Sequence, residues 1–319
     1  MQTDPLITGV DVAKDELVIG CLGEQAVHKL ANEAAAVKSW LRTLPKGSIV
    51  AMEATGIYHR LLAGLAHAAG MHVYVLNAQA VYFYAKAVGM RAKTDRLDCG
   101  VITRYVAEHH KKLHEWKPSA ALHTEIDELI RRRAVVVTKR NAVRQALDGC
   151  KGVATALKDL ERAFDKFLKT IDKKLQTLVK ADPDLASAQR RIATVIGFGP
   201  LGSALLATLL ARVPLGTADA LVAFSGIDPK PVDSGQKRGT RRISKHGAAY
   251  LRRQWYLAGF TAAHTKALKP MYQALMARGL ATTEAILILG RKLLRAAYAV
   301  WKTGQAFELE KFIGTAKSA

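Results

Sequence analysis

Four carboxylates in this chain have the spacing to act together: Asp11, Glu53, Asp95 and Asp98. Asp11 ends the apolar run Leu6-Ile7-Thr8-Gly9-Val10, and Glu53 ends a second run, Ser48-Ile49-Val50-Ala51-Met52. Asp95 and Asp98 are spaced i, i+3, which puts them on one face of a helix. Carboxylates gathered in one place raise each other's proton affinity unless a cation neutralises them. Hard divalent cations prefer oxygen donors, so the set predicts Mg²⁺ or Mn²⁺. Read singly, Asp95 and Asp98 would be first-turn acids favoured by a helix dipole.

The elements needed to position these acids are legible around them. Residues 6–12 and 16–22 read as two strands joined by the tight turn Val12-Ala13-Lys14-Asp15. A helix is expected over 32–43, a buried strand over 48–53, a helix over 57–69 closed by Gly70, and a strand over 72–77. Helices are predicted over 78–87 and 95–109. Strands alternating with helices give an α/β domain with a mixed sheet, and acids at strand ends are where such folds place sites.

Charge shows what the acids act on. The 319 residues carry 48 Lys+Arg against 27 Asp+Glu, a net charge of +21. Residues 1–110 hold 11 basic and 10 acidic residues, so the remainder carries 37 against 17, or +20. A cationic remainder of this size predicts nucleic acid, because phosphate binding releases counterions. A metal site beside it then predicts phosphodiester chemistry. Cys21, Cys99 and Cys150 are too few and too scattered for a disulfide frame or zinc site. With no secretory pattern at the N-terminus and no apolar run of roughly 20 residues, the expectation is a cytoplasmic protein.

Beyond residue 118 the pattern turns helical. Leu122, Ile126, Leu129, Ile130 and Val137 recur at helical spacing, as do Leu157, Leu160, Phe164, Phe167, Leu168, Ile171, Leu175 and Leu178. Gly149-Cys150-Lys151-Gly152 interrupts the two runs, which predicts a helical hairpin or coiled coil. Arg131, Arg132, Arg133, Lys139 and Arg140 load its first helix and are candidate nucleic-acid contacts. Val195-Ile196-Gly197-Phe198-Gly199-Pro200-Leu201-Gly202 joins two apolar helices, either as a plain turn or as one presenting N–H groups to phosphate. A polar, basic segment spans 228–247, followed by amphipathic helices over 247–267 and 282–303. Ser244 reads as the N-cap of a helix from 246, and Trp255, Tyr256 and Phe260 read as core. Three segments are expected: 1–112, 113–185 and 186–319.

Three N-terminal blocks resemble the RNase H-like fold of Holliday-junction resolvases: Gly9-Val10-Asp11-Val12-Ala13-Lys14-Asp15, Met52-Glu53-Ala54-Thr55-Gly56 and Lys93-Thr94-Asp95-Arg96-Leu97-Asp98. Further on stand Phe224-Ser225-Gly226-Ile227-Asp228-Pro229, Ser234-Gly235, Arg242-Ile243-Ser244-Lys245-His246-Gly247 and Leu251-Arg252-Arg253. Together the blocks resemble the bridge-RNA-guided insertion-sequence transposase/recombinase family, which joins a resolvase-like (RuvC-like) DEDD domain to a serine-bearing domain.

That resemblance implies an α/β RNase H-like domain, a coiled-coil middle and a mainly α-helical transposase domain. It makes Asp11, Glu53, Asp95 and Asp98 the metal ligands and Ser234 the nucleophile that forms a covalent link to DNA. A serine hydroxyl needs activation, and no His-Asp pair near Ser234 suggests a local triad. The resemblance also implies donor and target DNA, a structured bridge RNA and a tetramer built as a dimer of dimers, each serine completing a partner's acidic site. Lys237, Arg238, Arg241, Arg242 and Lys245 are candidate contacts to flanking phosphates. The rival reading on the same fold is a water-using, metal-dependent nuclease or Holliday-junction resolvase, in which Ser234 only binds phosphate. A non-enzymatic nucleic-acid scaffold is a third possibility. An actin-like sugar kinase, which shares the opening strand-turn-strand, fits neither the charge nor the missing second glycine loop.

Overall fold

The computed structural model describes residues 5–24, 26–54, 56–90, 95–230, 233–234, 237–238 and 242–317, giving only the backbone for 95–97, 233, 234, 237, 238 and 315–317. The chain packs as two compact units, Met1–Pro118 and Ser119–Ala319.

In the first unit, strands β1 (Ile7–Val12), β2 (Glu16–Cys21), β3 (Val27–Ala31), β4 (Ile49–Glu53) and β5 (His72–Leu76) form one sheet in the order β3-β2-β1-β4-β5. β1, β2 and β3 pair antiparallel, while β1, β4 and β5 run parallel. The β1–β2 turn closes through Ala13 N–H donating to the Glu16 carbonyl at 2.9 Å. Helices α1 (Ala34–Leu41) and α2 (His59–Ala68) cover one face with Val10, Val12, Val50, Met52 and Val73. Helices α3 (Ala78–Ala87) and α4 (Asp95–His109) cover the other, with Ile49, Ala51, Tyr74, Leu76, Val101, Ile102 and Val106. Strand period two sorts the residues cleanly between these layers.

Strand β3 has no counterpart in the sequence reading. Val27-His28-Lys29-Leu30-Ala31 is an exposed edge strand without a clear apolar alternation, and pairing with β2 defines it. Its Lys29, ion-paired to Glu16 at 2.9 Å, is the kind of charge that blunts a sheet edge.

The second unit is helical: α5 (Ala121–Ala146), α6 (Ala154–Lys180), α7 (Pro183–Ile192), α8 (Pro200–Arg212), α9 (Ala218–Phe224), α10 (Ala249–Ala263), α11 (Lys269–Ala277), α12 (Thr282–Thr303) and α13 (Leu309–Lys317). α5 and α6 form the expected hairpin, antiparallel because partners on one rise as those on the other fall: Arg133 with Asp172, Arg140 with Asp165, Arg144 with Glu161. Ile126 and Ile130 from α5 and Ile171, Leu175 and Leu178 from α6 sink into the core shared with α7 to α12. Farther out, Leu160 and Phe167 are exposed, Phe167 at 54%, although both follow the apolar spacing. Asp182 caps α7 by accepting from Leu185 N–H at 3.0 Å, and His123 Nε2 meets its other oxygen at 2.7 Å. Gly197 in the α7–α8 turn takes φ 91° and abuts the Ala258 carbonyl, where a Cβ would lie 2.3 Å from that oxygen. Packing against α10 therefore accounts for this glycine.

Two expectations need correction. Ser244 is not a helix N-cap: α10 starts at Ala249, and the Ser244 hydroxyl instead donates to the Asp228 carboxylate. Trp255 is fully buried as expected, its Nε1 donating to Ser225 Oγ at 2.9 Å, but Phe260 is 43% exposed. Phe260 stacks along the outer face of α10 between Tyr256 and His264, because positions four apart share one helix face.

Candidate active site

Asp11 and Glu53 stand at the C-terminal ends of adjacent parallel strands. The β1–β4 register pairs Val10 with Met52, so the two acids follow at the same level. Alternation along the strands gives them one face as well. Asp11 shares its side with Gly9, and Glu53 shares its side with Ile49 and Ala51, on the face covered by α4. Both are half-buried.

Helix α4 is held unusually close to that face. A Cβ on Gly9 would lie 2.3 Å from Thr103 Oγ1, 2.5 Å from Thr103 N and 2.6 Å from the Cys99 carbonyl. The Thr103 hydroxyl bonds back to the Cys99 carbonyl at 2.7 Å and to the Gly20 carbonyl of β2 at 3.2 Å. Glycine in β1 is thus what lets α4 lie on the sheet, with its first turns, Asp95 and Asp98, toward the Asp11 end. Asp98 is half-buried there. Burial pushes the thiol of the enclosed Cys99 up, and the charges of Asp11 and Asp98 push it further, consistent with both acids standing beside it. The Asp95 backbone opens α4; its side chain lies outside the described set. Among the described residues no group of three or more His, Cys, Asp or Glu side chains is drawn in tightly enough to hold an ion. The donors on this face are carboxylates, which suits a hard divalent cation.

The segment expected to be polar and basic folds into a two-tier β-ribbon. Its base pairs β6 (Pro229–Lys230) with β9 (Arg242–Ile243), and its tip pairs β7 (Asp233–Ser234) with β8 (Lys237–Arg238). Ser234 is opposite Lys237. Arg241 lies outside the described residues, and Arg242 is exposed at the base.

The ribbon's foot is clamped by a contact the sequence does not announce. Ser244 N–H donates to the Asp228 carbonyl at 2.9 Å and Lys245 N–H to the Gly226 carbonyl at 3.1 Å. A Cβ on Gly247 would sit 2.3 Å from the Phe224 carbonyl oxygen, and one on Gly226 2.4 Å from Gly247 N. Lys245, exposed, is held at φ 58°, a left-handed conformation that costs a non-glycine residue about 1 kcal/mol. Its backbone N–H forms part of the clamp. The sequence blocks around Gly226 and Gly247 therefore meet in space and fix both ends of the β6–β9 strand pair.

The arginines marked on α5 are engaged within the protein. Arg133 makes a bidentate pair with Asp172 at 2.6 and 2.8 Å, with only 19% of its side chain exposed. Arg140 meets Asp165 at 2.6 Å and Arg132 meets Glu128 at 2.6 Å. Arg131 reaches Asp127 at 2.9 Å and lies over the Tyr250 ring, 5.2 Å from its centroid. Lys139 is exposed. Asp127 is buried and also takes Arg212 at 2.7 Å and the Tyr250 hydroxyl at 3.2 Å. Burial first, and then the Asp127 charge, push the Tyr250 phenol up to about 12.

No described helix is long and apolar enough to cross a membrane. A DEDD transposase family model matches residues 8–150, which include all four acids, and a model of the IS116/IS110/IS902 transposase family matches residues 189–273, which include the ribbon and its clamp. The pilin gene-inverting proteins of Moraxella bovis and Moraxella lacunata are each 26% identical to the chain over 273 residues, covering 81% of the chain and 81% of their own length. Two models of one family, bracketing the acids and the ribbon in the order the sequence blocks require, place the chain: it belongs to the IS110-type transposases, DNA transposase/recombinase enzymes of insertion sequences.

Proposed function

We propose that the chain cuts and exchanges DNA strands through a covalent link to Ser234, using a divalent metal held by Asp11, Glu53, Asp95 and Asp98 on an RNase H-like domain. The observation that carries this reading is the convergence of Asp11 and Glu53 at one level and on one sheet face, with α4, whose first turn carries Asp95 and Asp98, packed against that face. When bound, the metal, Mg²⁺ or Mn²⁺, neutralises the carboxylates and the charge building on the phosphate. The serine oxygen forms a bond to phosphorus as the bond to one deoxyribose oxygen breaks. The serine proton passes to a carboxylate or to water, and the leaving oxygen gains one. Attack by a hydroxyl of the exchanged strand reverses the step and frees the serine. A ribbon clamped at its foot suits this chemistry, because a nucleophile must be held in line with the bond it breaks.

A structured RNA would choose the DNA by base pairing, leaving the protein to read backbone and shape. In a tetramer, acids and serine of one composite site would come from different protomers. Complementation tests this: Asp11→Asn and Ser234→Ala chains, each inactive alone, should recombine DNA when mixed. Denaturing gels of trapped reactions test the link itself. An adduct that disappears in S234A supports it. Cleavage that persists in S234A with no adduct would replace it with the water-using nuclease or resolvase.

A further inference from the structure

Helix α6 carries a basic face unlike that of α5. Lys166, Lys169, Lys173 and Lys180 are spaced by three, four and seven residues, which keeps them in one stripe. At 1.5 Å per residue the stripe runs about 21 Å. All four are exposed, and none makes an ion pair with a described residue. Two adjoining surface troughs, of about 460 and 740 Å³, lie along this stripe and share Lys169 and Lys173. The larger one runs to Pro200 and Leu201, which open the 13-residue helix α8 with the positive end of its dipole. The acids on the trough wall, Asp165 and Asp172, are those neutralised by Arg140 and Arg133. The α5 arginines thus cancel the carboxylates that would otherwise repel an anion, and leave the lysines unopposed.

We propose that this trough grips the phosphodiester backbone of a nucleic-acid duplex, making α6 rather than the arginines of α5 the hairpin's phosphate-binding helix. Among the described residues no aromatic side chain lines either trough, so the troughs offer no ring on which unpaired bases would stack. A straight row of flexible ammonium groups suits a regular backbone. The inference rests on the reading of the chain as a recombinase that binds DNA and RNA, and its test separates the two.

The test compares full-length wild type, K166Q/K169Q/K173Q/K180Q and the charge-matched control K266Q/K269Q/K302Q/K311Q. Fluorescence anisotropy would follow binding to a DNA duplex, an RNA duplex and a single strand of each over a range of salt. At about 0.9 per phosphate contact, the slope of log affinity against log salt should fall by roughly 3.6 in the stripe variant and stay at the wild-type value in the control. The duplex that shows the loss identifies the source of the backbone. Equal melting temperatures would show that both variants are folded. An unchanged slope on both duplexes, an equal loss in the control, or a loss confined to single strands would overturn the proposal while leaving the recombinase reading in place. Wild type that binds neither duplex would overturn both.

Discussion

Gly9→Ala should disable the acidic site without touching any acid. The new Cβ would lie 2.3 Å from Thr103 Oγ1, 2.5 Å from Thr103 N and 2.6 Å from the Cys99 carbonyl, whereas ordinary contact begins at 3.4 Å. Relief requires α4 to move about 1.1 Å from β1 at the closest of these contacts. Two of the three atoms are backbone, so a rotamer change cannot absorb the shift. Overpacking of this kind costs about 1–3 kcal/mol, and the first unit should melt several degrees lower. A displacement of about 1 Å in a positioned group costs on the order of 100-fold in rate, and Asp98 rides on the helix that moves. Strand cleavage should therefore fall on the order of 100-fold, well beyond what the stability loss explains. Adding T103A should not rescue it, because the contacts with Thr103 N and the Cys99 carbonyl remain. G20A is the internal comparison: its Cβ would meet Cys99 Sγ at 2.9 Å, a side chain that can be removed, so G20A/C99A should recover. Wild-type cleavage by G9A at wild-type melting temperature would refute the claim that close helix–sheet contact positions the acids.

The remaining predictions follow from named contacts. Mg²⁺ or Mn²⁺ should raise the melting temperature of wild type but not of D11N or E53Q, since binding the folded state alone stabilises it; equal shifts in all three would remove these acids from the ligand set. Ser244→Ala removes a hydroxyl from the Asp228 carboxylate and should cost about 1–2 kcal/mol in denaturant unfolding while the adduct at Ser234 still forms; an adduct lost in S244A but kept in S234A would exchange their roles. Asp127→Ala leaves Arg212 and the Tyr250 hydroxyl without their buried acceptor and should cost about 3 kcal/mol, read as a drop of about 6–12 °C in the second unit's melting temperature. Tyr250, with its phenol pushed up to about 12 from an ordinary value near 10, contributes stability that is full below about pH 10 and lost as pH rises toward 12; the alkaline difference spectrum between wild type and Y250F should show one tyrosine titrating late, and a midpoint near 10 would count against its burial beside Asp127.

How much was legible in the sequence depended on whether a feature lies along the chain or across it. The strands ending at Asp11 and Glu53 and the helix over 95–109 could be read because apolar runs and helical spacing are local. Strand β3 could not, because an exposed edge strand is defined by the pairing its neighbour offers rather than by its own hydrophobicity. Phe260 misled for the converse reason: helical spacing marks a face but not whether anything covers it. Gly9 and Gly20 carried a trace of the α4 contact, since glycine inside a strand often marks a close backbone approach, but their partner is some 80–90 residues away in sequence.

The charged residues make the same point with functional weight. Arg131-Arg132-Arg133 is the densest basic run in the chain, and that run together with the large net charge nominated it for phosphate binding. Folding pairs each of these arginines with a carboxylate, because their helical neighbours and the facing helix supply Asp127, Glu128 and Asp172. The lysines of α6 are diluted in sequence by leucines and phenylalanines, yet the helix gathers them into one stripe while the hairpin turns the apolar face elsewhere. A cation's value for binding a polyanion depends on whether the fold leaves it without an internal partner. By that criterion the phosphate contacts we propose lie on the second helix of the hairpin rather than the first.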